Sequence, residues 1–361
     1  MPRHRSGMVR RRAILSGAGA LGGAALLTWP AAAAEISLVE TGSTLLYPLF
    51  NLWVAKYTAR KAGVRITAQG TGSGTGIAQA ISGIVQIGAS DAYMSNPQAR
   101  RYPEILNIPL AVSAQTINYH LAGGNDADLK LSGPLLAGIY QGHIRRWNDA
   151  AIARLNPGIA LPARAIIPVH RTDGSGDTFL FSQYLAFSTP AWAGKIGYGT
   201  TLPWPPVAGG VGALGNPGMV AVTGATPYSI AYVGISFHAA IAKAGVRTAL
   251  LENRAGNFVP PTAETIGAAV KAMAGKTPPD GRISLVFAPG PRSYPIINYE
   301  YAIVNRRQRD RKVAASLRDF LTWAIDPEGG SAANFLDQVR FQPLPSGIAR
   351  LARQQITTIG T

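Results

Sequence analysis

Three short segments of this 361-residue chain crowd glycines and hydroxyl side chains together. The first is Gly42-Ser43-Thr44-Leu45. The second is Gly70-Thr71-Gly72-Ser73-Gly74-Thr75-Gly76. The third is Arg171-Thr172-Asp173-Gly174-Ser175-Gly176-Asp177-Thr178. Glycines let backbone N–H groups converge on a small object. Ser and Thr hydroxyls add donors, and the fork of Arg171 suits a tetrahedral oxyanion bidentately. The chemistry these residues suit is the capture of a small, multiply charged anion. Each loop alone also reads as a turn with a helix cap; three of the same design point to a site.

Gly88-Ala89-Ser90-Asp91 adds a carboxylate. An acid beside an anion is repulsive unless the anion carries a proton. An ionised carboxylate only accepts hydrogen bonds. Protonated phosphate has a hydrogen to give, whereas fully ionised sulfate has none. Leaving a buried acceptor unpaired costs on the order of 1–3 kcal/mol, and more when it is charged. Asp91 therefore reads as a filter for phosphate against sulfate, with a helix cap or an exposed loop acid as the plain alternative.

Other chemistries fail on spacing. Gly70–Gly76 is G-x-G-x-G-x-G, neither the dinucleotide fingerprint nor a Walker loop, since no Lys follows. Neither Ser73 nor Ser175 has the G-x-S-x-G frame of a nucleophile elbow. The five histidines show no i, i+4 pair and no H-E-x-x-H, so no metal set and no catalytic residue is assigned. His170 stands out only because it adjoins Arg171. No cofactor motif is present.

The elements that must hold these loops alternate. Residues 36–40, 65–69 and 85–89 read as strands. Residues 45–60, with Leu46, Leu49, Phe50, Trp53 and Tyr57 on one face, and 76–82 read as helices. That β-α-β-α-β order implies an α/β fold with largely parallel sheet and helices on both faces, and ligands at the carboxyl ends of strands. Further on, 132–140, 149–155, 178–185 and 314–324 read as helices. Residues 165–170, 230–234 and 296–304 read as strands, and 200–220 as Gly- and Pro-rich loop with a helix from about residue 218.

Composition sets the class. Hydrophobic residues make up 47% and charged residues 14%, which favours a packed core over disorder. Zero cysteines exclude disulfides, a catalytic thiol and thiolate metal sites. Residues 1–34 show a basic start, a small apolar middle and an Ala31–Ala34 cleavage pattern, and read as an export signal. Arg11-Arg12 resembles a twin-arginine motif without its usual Phe and Lys, leaving general secretion as the other route. Losing five leader arginines lowers the formal charge from +16 to about +11. No basic stripe interleaved with aromatics follows, so nucleic acid is not an expected partner. The run Arg306-Arg307-Gln308-Arg309-Asp310-Arg311-Lys312 reads as a solvated turn.

With these loops in view, the chain resembles the periplasmic phosphate-binding protein of the phosphate-specific ABC importer, the PstS family. The most specific matches are the Arg-x-Asp-Gly-Ser-Gly loop and Gly138-Ile139-Tyr140-x-Gly142-x-Ile144-x-x-Trp147-x-Asp149. Leu155-Asn156-Pro157-Gly158, Gly209-Gly210 and 230–234 follow in family order, and the match weakens beyond about residue 240. The resemblance implies a two-lobed periplasmic binding protein of type II-like architecture. Lobe one would hold 35–115 plus 296–361 and lobe two 116–295, with the ligand cleft between them. It implies phosphate contacts from Thr44, the Leu45 N–H, Ser73, Asp91, Arg171, Ser175, Gly176 and Asp177, with Asp173 orienting Arg171. Leu45 and Asp177 depart from the enteric-type pattern, where an aromatic and Thr are common. A second acid at Asp177 would demand another proton donor or turn away. The implied partner is an inner-membrane ABC phosphate permease, the implied state a monomer and the implied compartment the periplasm, with no cofactor and no enzymatic step. Binding another oxyanion, phosphomonoester hydrolysis, and an adhesive or scavenging role of the basic surface are the alternatives.

Overall fold

The computed structural model describes residues 35–122 and 128–361. The export signal read at residues 1–34 lies outside them. In chain order the strands are β1 (Ile36–Gly42), β2 (Val64–Gly70), β3 (Ile87–Ser90), β4 (Ile105–Tyr119), β5 (Lys130–Leu131), β6 (Ile167–Arg171), β7 (Val211–Ala213), β8 (Ser229–Gly234), β9 (Arg247–Thr248), β10 (Leu250–Glu252), β11 (Phe258–Val259) and β12 (Ile297–Asn305). One sheet runs β2-β1-β3-β12-β4-β8-β6-β7, with β9 also paired to β4. Strands β11, β10 and β5 form a small second sheet.

The expected parallel β1, β2 and β3 are present, and β6 is likewise parallel to β7 and β8. Between these groups, β12 and β4 run antiparallel. Strand β4 was not marked by the sequence pattern. All but one of its residues are buried, so it lacks the apolar–polar alternation that marks a half-exposed strand. Its Ile105–Ala114 part pairs with β12 and its Gln115–Tyr119 part with β8. Strand β4 changes partner between Ala114 and Gln115, one residue before the expected lobe boundary at 115/116.

Two aromatic clusters fix the helices that carry the loops. The Tyr47–Arg60 helix buries Leu49, Phe50, Trp53 and Tyr57 along one face. Phe50, Trp53 and Tyr57 meet Phe320 of the Arg311–Ala324 helix, with ring centroids 5.0 Å from Tyr57 and 6.4 Å from Trp53. Trp53 also donates to the Gly330 carbonyl at 2.8 Å. On the other side Phe181 of the Gly176–Ser188 helix stacks on Tyr232 of β8 at 4.6 Å, with Tyr140 against it at 4.8 Å. Each fully buried aromatic of this kind contributes roughly 1.5–3 kcal/mol.

Helix starts differ from the sequence reading where the glycine loops are. The second helix spans Ser73–Ile81, beginning three residues early, inside the glycine run. Gly72, at φ +94°, turns the chain so that Ser73 already lies in the first turn. In the stretch expected as loop, β7 forms and a helix begins at Gly215. Among the described residues no helix is long and apolar enough to cross a membrane.

Candidate functional site

The three glycine–hydroxyl loops and Asp91 meet at the carboxyl ends of β1, β2, β3 and β6. The first wall is built on β1 and β3. Gly42 has φ +142°, and a Cβ there would run into the Ala89 carbonyl, so only glycine permits the two strand ends to close up. That closure sets Ser43 beside Asp91. Ser43 Oγ donates to Asp91 Oδ1 and accepts from the Leu46 N–H at 2.9 Å. Ser73 Oγ bonds Asp91 Oδ2 at 3.2 Å from the first turn of its helix. Behind Asp91 stands Glu300 of β12, fully buried, with Asn298 donating to its Oε1 at 3.0 Å and to the Asp91 carbonyl at 3.3 Å.

These acids have unusual proton affinities. Burial first, and then the charge of Asp177, push Asp91 up to about 7, against the opposing hydrogen bonds of Glu300 and Ser43 and the charge of Arg171. Burial, together with the adjacent Asp91, raises Glu300 well above the usual carboxylate range.

The second wall is built on β6 and the Gly176–Ser188 helix. Ser175 caps that helix, its Oγ accepting from the Thr178 N–H at 3.1 Å. The N–H groups of Gly176 and Asp177 lie in the first turn, where no intrahelical acceptor exists. Arg171, at the end of β6, is buried. Its Nε donates to Asp173 Oδ1 at 2.7 Å, its Nη2 to Asp173 Oδ2, and its Nη1 to Asp177 Oδ2 at 2.5 Å. Burial works against the guanidinium charge, but Asp173 and Asp177 more than offset it and hold the group firmly protonated. Conversely Arg171 keeps Asp173 below its ordinary value despite burial. Burial raises Asp177, opposed by Arg171, Asn216 and Gln115.

The walls touch. Gly74 donates its N–H to the Gly174 carbonyl at 2.8 Å. Asn216 Nδ2 donates both to Thr44 Oγ1 at 3.0 Å and to Asp177 Oδ2 at 2.8 Å, while its Oδ1 accepts from the Gly234 N–H at 2.8 Å. Ser236 donates to the Leu45 carbonyl at 2.8 Å. A Cβ at Gly176 would collide with Asp91 Oδ2 and Ser73 Oγ, so a larger residue would force the walls apart.

Thr44, Leu45, Ser73, Asp91, Arg171, Asp173, Ser175, Gly176 and Asp177 are thus gathered along one buried seam. Asp177 does not turn away; its carboxylate enters the cluster and pairs with Arg171. His170 lies apart from the cluster, half-buried against the Trp204 ring at 5.3 Å. Sequence reasoning missed Ser43, Gln115, Asn216, Asn298 and Glu300. Gln115 and Glu300 did carry a mark, as long polar side chains inside strands rich in apolar residues. Gln115 Nε2 donates to Asp177 Oδ1 at 3.1 Å and to its carbonyl at 2.9 Å.

A mixed α/β sheet whose two parallel groups bring hydroxyls, helix N-termini and one guanidinium to one buried seam has the fold of the two-lobed binding proteins. Comparison with known proteins agrees. The model of the PBP superfamily domain matches residues 29–328. The phosphate-binding protein PstS of Methanocaldococcus jannaschii is 33% identical over 342 residues, covering 90% of this chain and 86% of the relative. That of Xylella fastidiosa is 33% identical over 316 residues, covering 88% and 84%. A solved periplasmic phosphate-binding protein bound with phosphate, PfluDING, aligns with a TM-score of 0.70 at 23% identity, over 88% of this chain and 93% of that one. The chain belongs to the PstS phosphate-binding proteins of the PBP superfamily.

Proposed function

We propose that this chain binds inorganic phosphate in its cleft and delivers it to an ABC-type phosphate import permease. The observation that carries the reading is Asp91. It is a buried carboxylate bonded by the Ser43 and Ser73 hydroxyls and set beside the Glu300 carboxyl, at a seam that also gathers the Arg171 guanidinium and the first-turn N–H groups of the Gly176–Ser188 helix. Such a group favours an anion that brings a hydrogen. Thr44, Ser73 and Ser175 would supply hydroxyls, Leu45, Gly176 and Asp177 backbone N–H groups, and Arg171 the charge, with Asp173 fixing its orientation. The ligand is held and released unchanged.

The lobes 35–115 plus 296–361 and 116–295 would close on the ligand, with β4 and the chain before β12 as crossovers. Their closure is the state the permease would read. The chain works as a monomer outside the cytoplasm, reached through the twin-arginine or the general secretory route. The family relationship, the donors gathered along the buried seam and the leader-like sequence of residues 1–34 support this reading.

Calorimetry on the mature protein, stripped of ligand by unfolding and refolding, tests it. Phosphate should bind tightly one-to-one and sulfate should give no heat. Sulfate binding, or binding of neither anion, overturns the reading.

A further inference from the structure

The second wall contains one charge that anion capture does not call for. A guanidinium has five N–H donors in a fixed fork. Asp173 takes the Nε and Nη2 side through both of its oxygens. The remaining edge, Nη1 with the second hydrogen of Nη2, is the bidentate face left for an oxyanion. Asp177 Oδ2 is already bonded to it through Nη1. Two carboxylates therefore surround one cation, and the pair of acids outweighs it.

This placement is built in. Asp177 is buried, and its carboxylate is held from two other elements, by Gln115 on β4 and by Asn216 in the first turn of the Gly215–Ala225 helix. The same Asn216 amide reaches across to Thr44. The contact that ties Asp177 to Arg171 thus belongs to the network that joins the two walls.

We propose that Asp177 is an internal competitor for phosphate: its carboxylate holds the guanidinium edge that phosphate must take, and so sets the affinity of the site lower than the donors alone would. This rests on the phosphate reading above and deepens it. When phosphate takes the edge, Asp177 gives up Nη1 and keeps Gln115 and Asn216. An ion-paired acid then becomes an acid beside an anion. The cost of that exchange falls on binding, and the benefit of the original pair falls on the ligand-free protein. A residue that merely contributed its backbone N–H would produce neither effect.

The test compares the parent with Asp177→Thr and Asp177→Asn, titrating inorganic phosphate by calorimetry at one pH and melting each protein with and without phosphate. Both variants should bind phosphate at least about tenfold more tightly, because a competing charge-assisted hydrogen bond is gone. Their ligand-free melting temperatures should fall, since Arg171 loses a partner, while the upward shift on adding phosphate grows. Equal or weaker phosphate binding in Asp177→Asn, with the parent binding, overturns the proposal. Equal loss of melting temperature with and without phosphate also overturns it, by reducing Asp177 to a structural role. If Asp177→Thr does not fold, the near-isosteric Asp177→Asn, which keeps an oxygen for Asn216, decides alone. If the parent itself binds no phosphate, the phosphate reading has failed and takes this proposal with it.

Discussion

The two walls of the cleft each bury an aspartate, and the two aspartates behave as different groups. Asp91 is met by Ser43, Ser73 and the neighbouring Glu300, with no cation bonded to it. Asp177 is bonded to Arg171 and two amides. The first is therefore a carboxyl without a bonded counter-ion, and the second an ion already paired. Residue type is shared; the partners that surround each acid are not.

The strongest way to break this contrast is to remove the cation. Arg171→Met leaves Asp173 and Asp177 buried without a positive partner. Loss of one member of a buried pair costs about 3–5 kcal/mol. Calorimetry should show no phosphate heat, and the melt should move down sharply. A variant that still binds phosphate like the parent would move the site away from the second wall.

Next in size is the filter. Asp91→Asn puts an amide donor where an acceptor stood. Phosphate should weaken by about 1–3 kcal/mol, and sulfate should begin to bind. If sulfate rejection is unchanged, Asp91 is not the discriminating group.

The pH response sharpens the same point. The folded protein holds Asp91 at about 7, well above the ordinary carboxylate value. Between those two pH values it keeps a proton that the unfolded chain has released. Ligand-free stability is therefore greatest below that window and falls as pH rises through it, reaching its low level above about 7. Glu300 and Asp177 are raised as well and act in the same direction. Asp91→Asn should make the melting temperature against pH visibly flatter; an unchanged slope would assign the slope to the other two acids.

Smaller effects belong to the supporting residues. Glu300→Gln keeps a neutral hydrogen-bonding side chain behind Asp91 and should leave phosphate affinity nearly unchanged, whereas Glu300→Ala should weaken it. Equal behaviour of the two variants would remove Glu300 from the Asp91 pair. Asn216→Ala should cost about 1 kcal/mol through its lost bonds to Thr44 and Asp177, read as a lowered melting temperature.

Much of this site was legible beforehand because its parts are local. A Gly-Ser-Thr turn, a glycine run and an Arg-x-Asp-Gly-Ser-Gly loop each declare strand-to-helix joints and donors within a few residues. Asp91 was legible for the same reason, as the acid at the end of a short strand. Ser43 was overlooked beside Thr44 because nothing local says which hydroxyl faces the acid; the close approach of Gly42 to Ala89 decides that. Glu300 and Asn216 lie 209 and 125 positions beyond Asp91 and could be placed only by strand pairing and loop packing.

The sequence by itself determined the alternating elements, the three donor loops, the family and the type of anion they suit, because these depend on spacing and on the chemistry of short segments. Tertiary structure decided what each acid does. It set the antiparallel β4 and β12 between two parallel groups, brought Glu300 behind Asp91, and turned Asp177 onto Arg171 rather than away. Charge partners separated by scores of residues are chosen by how the sheet folds, and a carboxylate's proton affinity is a property of those partners and of burial, not of the residue that bears it.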